Sequence, residues 1–129
     1  MLYVDGGPGS TGMAGRLRME GKEVFRHAVN RMAEAVETAL AYNNLTLDDI
    51  DWLVPHQANI RIIESIGRRL RVSLDNVVIT VDTQANTSAA TIPLALTQAQ
   101  NDGRLKPGHL VALSALGGGF SWGSALLRW

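Results

Sequence analysis

Trp52-Leu53-Val54-Pro55-His56-Gln57-Ala58-Asn59-Ile60-Arg61-Ile62-Ile63 holds, in one short run, a strand, its stop and the start of a helix. Trp52-Leu53-Val54 reads as a short strand, and Pro55 ends it because proline has no N–H to give to a ladder. From Ala58 to Arg71 the helical period runs through Ile60, Ile63, Ile66, Gly67 and Leu70, with Glu64 and Arg68 paired four apart. A strand feeding directly into an amphipathic helix is a building unit of layered α/β folds.

Upstream, Val24, Phe25, Ala28, Val29, Met32, Ala33, Val36 and Leu40 recur at three- and four-residue spacing, which predicts a long amphipathic helix from Lys22 to about Asn43-Asn44. Thr46-Leu47-Asp48-Asp49 reads as a capped single turn. Downstream, the β-branched run Val77-Val78-Ile79-Thr80-Val81 predicts a buried strand. A third helix is expected between Asn86 and Asp102; it is apolar on nearly every side and therefore buried, with Pro93 near its first turn or at a kink. Lys106-Pro107-Gly108 is a turn, Leu110 to Leu113 a strand, Gly117-Gly118-Gly119 a tight bend, and Phe120 to Trp129 the returning strand. The alternation implies an α/β fold, with helices packed on a mixed sheet.

The whole chain has 129 residues, 12 basic against 12 acidic side chains, three His and no Cys. That is the size of one domain, and 46% hydrophobic residues are enough for a real core. Zero net charge and a mean hydropathy of +0.03 give no global field for nucleic acid or an anionic membrane. The absence of cysteine excludes disulfides, thiolate metal sites and a cysteine nucleophile on this chain. No apolar run reaches the length of a membrane span, and Met1-Leu2-Tyr3-Val4-Asp5 lacks the order of a signal peptide, so the expected compartment is the cytoplasm. Residues 1–20 are expected to be a glycine-rich loop leading into a domain over 21–129; the loop has no Gly-Lys-Ser/Thr ending of the phosphate-cradling kind.

Four features have the chemistry for a site: His56, Asn59, Asn86 and the triple glycine. His56 sits where a strand leaves the sheet, the usual ligand position in open α/β sheets. Asn86 precedes a helix, at the positive end of its dipole. Together they can offer two hydrogen-bond donors to one developing oxyanion; singly, a histidine after a strand is more often structural than catalytic, and the asparagine reads as a helix N-cap. Arg61, Arg68, Arg69 and Arg71 outnumber Glu64 on the second helix, which suits either a solvated face or an acidic partner. His27 and His109 have no metal-ligand partner at useful spacing and read as structural, so no metal site is expected.

Three motifs, Trp52 to Ile63, Asn86-Thr87-Ser88-Ala89-Ala90 and Gly117-Gly118-Gly119-Phe120-Ser121-Trp122-Gly123-Ser124-Ala125, resemble in order and spacing the C-terminal half of the beta-ketoacyl-acyl-carrier-protein synthase III family. The likeness runs from about Gly21 to Trp129. It implies a thiolase-like layered fold of which this chain is the C-terminal half only, and an acyltransferase that starts fatty-acid chains by decarboxylative Claisen condensation. It also implies His56 and Asn86 as catalytic residues, with the nucleophilic cysteine on a missing N-terminal half. Asn59, Arg61, Phe25, Ala28, Gly118 and Phe120 are implied to bind substrate. Acyl-CoA and malonyl-acyl carrier protein are the implied substrates, with no cofactor, and the implied partners are acyl carrier protein, a coenzyme A thioester and a second copy in a homodimer. The rival reading is a non-catalytic truncated module that binds carrier protein or coenzyme A, or only dimerises.

Overall fold

The computed structural model describes residues 2–129. Met1, the first residue of the expected lead-in, lies outside the described residues. The rest of that lead-in is not all loop. β1 (Leu2–Val4) and β2 (Leu17–Met19) pair antiparallel, Tyr3 opposite Arg18, and the glycine-rich stretch is the loop of this hairpin. Asp5 closes its neck by accepting from the Arg16 N–H (2.7 Å) and the Arg18 guanidinium. Gly15 is required there, because a Cβ would run into the Gly6 carbonyl. The strands are too short to show a period, so turn residues dominate the reading of this stretch.

α1 (Gly21–Tyr42) and α2 (Ile60–Leu70) follow the predicted spacing. Between them a turn over Leu47–Asp49 is held by the Asp49 carboxylate, which accepts from the Thr46 N–H (2.6 Å) and hydroxyl (2.9 Å). Glu64 and Arg68 do not pair; Arg68 donates to the Ser65 hydroxyl at 3.2 Å, and Arg69 forms a two-point ion pair with Glu37 of α1.

β3 (Trp52–Pro55) runs parallel to β4 (Leu110–Gly117), which pairs antiparallel with β5 (Ser121–Arg128). Successive residues of the sheet alternate between two layers. Leu53, Leu110 and Ala112 face α1 and α2, joining Met32, Ala33, Val36, Ile63, Ile66 and Leu70 in one core. Val54 and Val111 face the other way, onto Ala95 and Ala99 of α4 (Thr91–Asn101), with α3 (Val81–Gln84) preceding it. Two sheet hydroxyls fix α1 to its layer: Ser114 donates to the Met32 carbonyl (2.9 Å) and Ser124 to that of Ala35 (2.6 Å). At the β4–β5 bend, Gly119 takes a positive φ of 73°, which the missing Cβ permits.

Two further expectations are corrected. The first is the strand at Val77–Val81, which makes a single bridge, Val77 to Leu53, with Val78 N–H donating to the Leu53 carbonyl. The next rung of a parallel ladder needs an N–H from Pro55, and proline has none. The Gln57 side chain, fully buried, takes over: its Nε2 donates to Pro55 O (2.8 Å) and Val78 O (3.0 Å). Its Oε1 accepts from Thr80 N–H (2.8 Å) and Val81 N–H (3.2 Å), and the chain turns into α3. The second concerns α4, which is buried on one face only, through Thr91, Ala95 and Ala99. Pro93 and Leu94 are exposed, and no described residue covers that side.

Candidate active site

The end of β3 sets the floor of the site. His56 N–H donates to the Ser114 carbonyl at 2.7 Å, which carries the β3–β4 ladder one residue past Pro55 and holds the histidine backbone against the sheet. The chain then turns into α2, where Asn59 is the N-cap in extended conformation and its Oδ1 accepts from Ile62 N–H at 3.0 Å. Asn86 repeats the device ahead of α4: its Oδ1 accepts from Ser88 N–H at 3.0 Å. Occupying the oxygen fixes the amide's orientation, and in both residues the NH₂ end is left to donate.

These residues share one open cleft of about 900 Å³. His56, Asn59, Arg61, Phe25, Ala28 and Asn86 all line it, so three separate segments of chain supply the wall. Met32, Ile62 and Leu116 add apolar surface, and among the described residues the charged ones lining the cleft, Lys22 and Arg61, are both cationic. Phe25 is 36% exposed while Ala28 is nearly buried, so Ala28 belongs to the core as much as to the cleft. Gly118 and Phe120 do not line the cleft. They form the β4–β5 bend, against which β1 lies, and the Phe120 ring meets His27 edge-on with centroids 5.1 Å apart. His109 accepts from the Lys106 N–H across its turn. Among the described residues, no group of three or more His, Asp or Glu is placed to hold a metal ion.

His56 is half-buried, and burial pushes its pKa below the ordinary 6.5, because the protein interior disfavours the charged ring. The imidazole is therefore neutral at neutral pH and can offer an N–H without carrying a charge. A folded-state pKa below the unfolded value means that the unfolded chain binds more protons as pH falls under 6.5. The resulting stability is complete above that pH and is lost as pH falls through the folded pKa. Urea unfolding at stepped pH is expected to show this loss beginning below 6.5, and His56→Gln should remove it. Asp5, Asp49 and Asp102, all held below their usual value by hydrogen bonds, act in the same direction but only below 3.8.

Two site residues escaped the sequence reading. Gln57 supplies the missing rung beside His56, and Thr91, the first residue of α4, places its hydroxyl 2.6 Å from His56 Nδ1. The burial that gives Gln57 its role is a property of the fold and leaves no mark in the sequence. Nothing local marks Thr91 either, since the pair is 35 residues apart.

Comparison with known proteins bears on the same segments. Residues 40–129 match the family described as 3-oxoacyl-[acyl-carrier-protein (ACP)] synthase III C terminal. The beta-ketoacyl-[acyl-carrier-protein] synthase III of Sinorhizobium medicae is 61% identical over 128 residues, and that of Paramagnetospirillum magneticum 62%. Each alignment covers 99% of this chain but 40% of the relative, so the chain spans well under half the length of the curated relatives it matches. Among solved structures, the Pseudomonas aeruginosa 3-oxoacyl-(acyl carrier protein) synthase III superposes with a TM-score of 0.92 at 37% identity, over 99% of this chain and 39% of that one. The Aquifex aeolicus enzyme gives 0.91 at 36%, over the same shares. The layering seen here is that of these thiolase-like α/β structures. With most of its length matched by the family and nearly all of it superposed on solved members, the chain belongs to the 3-oxoacyl-[acyl-carrier-protein] synthase III C-terminal family.

Proposed function

We propose that this chain supplies the decarboxylating half of a beta-ketoacyl-acyl-carrier-protein synthase III. The observation that carries the reading is that His56 and Asn86, from the end of β3 and the approach to α4, line one cleft. In the proposed reaction the C–C bond to the malonyl carboxylate breaks, CO₂ leaves, and the electron pair becomes an enolate with its charge on the thioester oxygen. A neutral imidazole N–H and a carboxamide N–H aimed at that oxygen lower the barrier without first trapping the anionic substrate as an ion pair. Condensation then needs an acyl group on a cysteine, and this chain has none. The thiol belongs, on this reading, to the part of the relatives that the chain does not span.

The remaining assignments follow from the same cleft. On this reading Asn59 Nδ2 donates to an amide carbonyl of the pantetheine arm, in the cleft it shares with Phe25 and Ala28. Lys22 and Arg61 make the mouth cationic, which suits the phosphate of the arm or an acidic carrier protein. Gly118 and Phe120 act on this reading through the bend they form rather than by lining the arm's path. No cofactor is called for. The exposed Tyr3, Val4, Met13, Met19 and Trp122 support self-association as a homodimer or contact with a further segment, and the expected setting is the cytoplasm.

The decisive assay follows CO₂ release from a malonyl-pantetheine thioester, which needs the two donors and no cysteine. Release above the uncatalysed rate supports the reading. Absence of release, with retained binding of the thioester, favours instead a non-catalytic module that binds carrier protein or coenzyme A.

A further inference from the structure

We propose that Thr91 is the positioning residue for His56: its hydroxyl donates to Nδ1, so that the ring proton resides on Nε2, the nitrogen left for the cleft. The inference deepens the proposed function and rests on it for its catalytic consequence, but the tautomer itself is a property of the fold.

One hydrogen, that of the Thr91 hydroxyl, decides the tautomer. Thr91 is 2% exposed, so its hydroxyl needs a partner inside the protein. Its oxygen lies 2.6 Å from His56 Nδ1 and accepts the Gln57 N–H at 3.3 Å. Were Nδ1 protonated, the oxygen would accept from both and the hydroxyl hydrogen would need another acceptor. A helical threonine usually finds one in the carbonyl three or four residues back. Thr38, Thr83 and Thr97 all do so, donating to Glu34, Thr80 and Pro93 at 2.8, 3.2 and 2.9 Å. Thr91 differs: among the described residues its oxygen is engaged only by His56 and Gln57. Nδ1 is then the acceptor that leaves no buried hydroxyl unmet.

Position strengthens the case. Thr91 is the first residue of α4, five residues after Asn86. Anchoring the imidazole to Thr91 therefore refers both N–H donors to one stretch, residues 86–91, although His56 leaves a different element. The β-branched side chain has few rotamers, which limits drift of the hydroxyl. The N-terminus of α4 beside the ring also disfavours imidazolium, in which both nitrogens would donate.

The test is the tautomer, read by ¹H–¹⁵N correlation on the intact chain with ¹⁵N-labelled histidine, His56→Gln assigning the signals. At neutral pH the expected result is a protonated, pyrrole-type Nε2 and a bare, pyridine-type Nδ1. Thr91→Ser should preserve that pattern, and Thr91→Val, which keeps the shape and loses the hydroxyl, should give a mixture of tautomers. CO₂ release should fall about tenfold in Thr91→Val, through kcat rather than KM, the rate equivalent of one lost hydrogen bond, and recover in Thr91→Ser. A protonated Nδ1 in the unmodified chain, or a ring unaffected by Thr91→Val, overturns the proposal. If Thr91→Val does not fold, the unmodified chain and Thr91→Ser still decide it. A correct tautomer without any CO₂ release would instead sink the proposed function and leave the role of Thr91 standing.

Discussion

Asn86→Ala is expected to lower CO₂ release from a malonyl thioester by about 10²–10³-fold, and His56→Ala by a similar factor, the usual loss when one oxyanion donor is removed. Both donors meet a full negative charge only as CO₂ leaves, so the loss should fall on kcat and leave KM nearly unchanged. The two variants differ in what else they disturb. His56 is half-buried and bonded to Thr91, so its removal also loosens the fold. Asn86 is exposed and, among the described residues, its oxygen serves only the short turn before α4, which makes Asn86→Ala the cleaner measurement. Asn86→Asp sharpens it: the carboxylate keeps the bond to Ser88 N–H but puts an acceptor and a negative charge where a donor is needed. Its rate should be no better than that of the alanine variant. Equal rates for the original chain and both Asn86 variants would show that this amide takes no part.

Gln57→Ala is expected to cost about 3–4 kcal/mol, measured as a lower urea midpoint at unchanged slope. The side chain satisfies two carbonyls and two N–H groups, saturating its own capacity, in a position with no solvent access. Truncation strands all four backbone groups, with some relief if water enters. Gln57→Glu separates hydrogen bonding from volume. It fills the same space but has no N–H₂ for Pro55 O and Val78 O, so it should be at least as damaging as alanine. A loss below about 1 kcal/mol for both variants would mean that the segment over 77–81 is held by its valines alone.

The contrast between what the chain declares locally and what it does not has a physical basis. α1 and α2 carry their own period, β3, β4 and β5 are bounded by proline or glycine, and each lies close to where the sequence predicts it. The Val77–Val81 run has the composition of a strand, but its ladder depends on a donor that Pro55, more than twenty residues earlier, does not have. The β1–β2 pairing is hidden by a loop whose glycines dominate the local reading. α4 is apolar all round, which predicts burial on every side, while the described chain covers only the face of Ala95 and Ala99. At the site, His56, Asn59 and Asn86 were legible from their places beside strand and helix ends, and Arg61, Phe25 and Ala28 from the family resemblance. Gly118 and Phe120 share the motif but sit at the bend instead of on the cleft wall. Thr91 and Gln57 were not legible, because their function lies in contacts made across the fold.

The most direct test of the central claim is a crystal structure of the chain with a non-cleavable malonyl-pantetheine analogue. The analogue's thioester oxygen is expected to lie within about 2.7–3.1 Å of both His56 Nε2 and Asn86 Nδ2. An analogue bound in the cleft with that oxygen touching neither nitrogen, or only one of them, would contradict it.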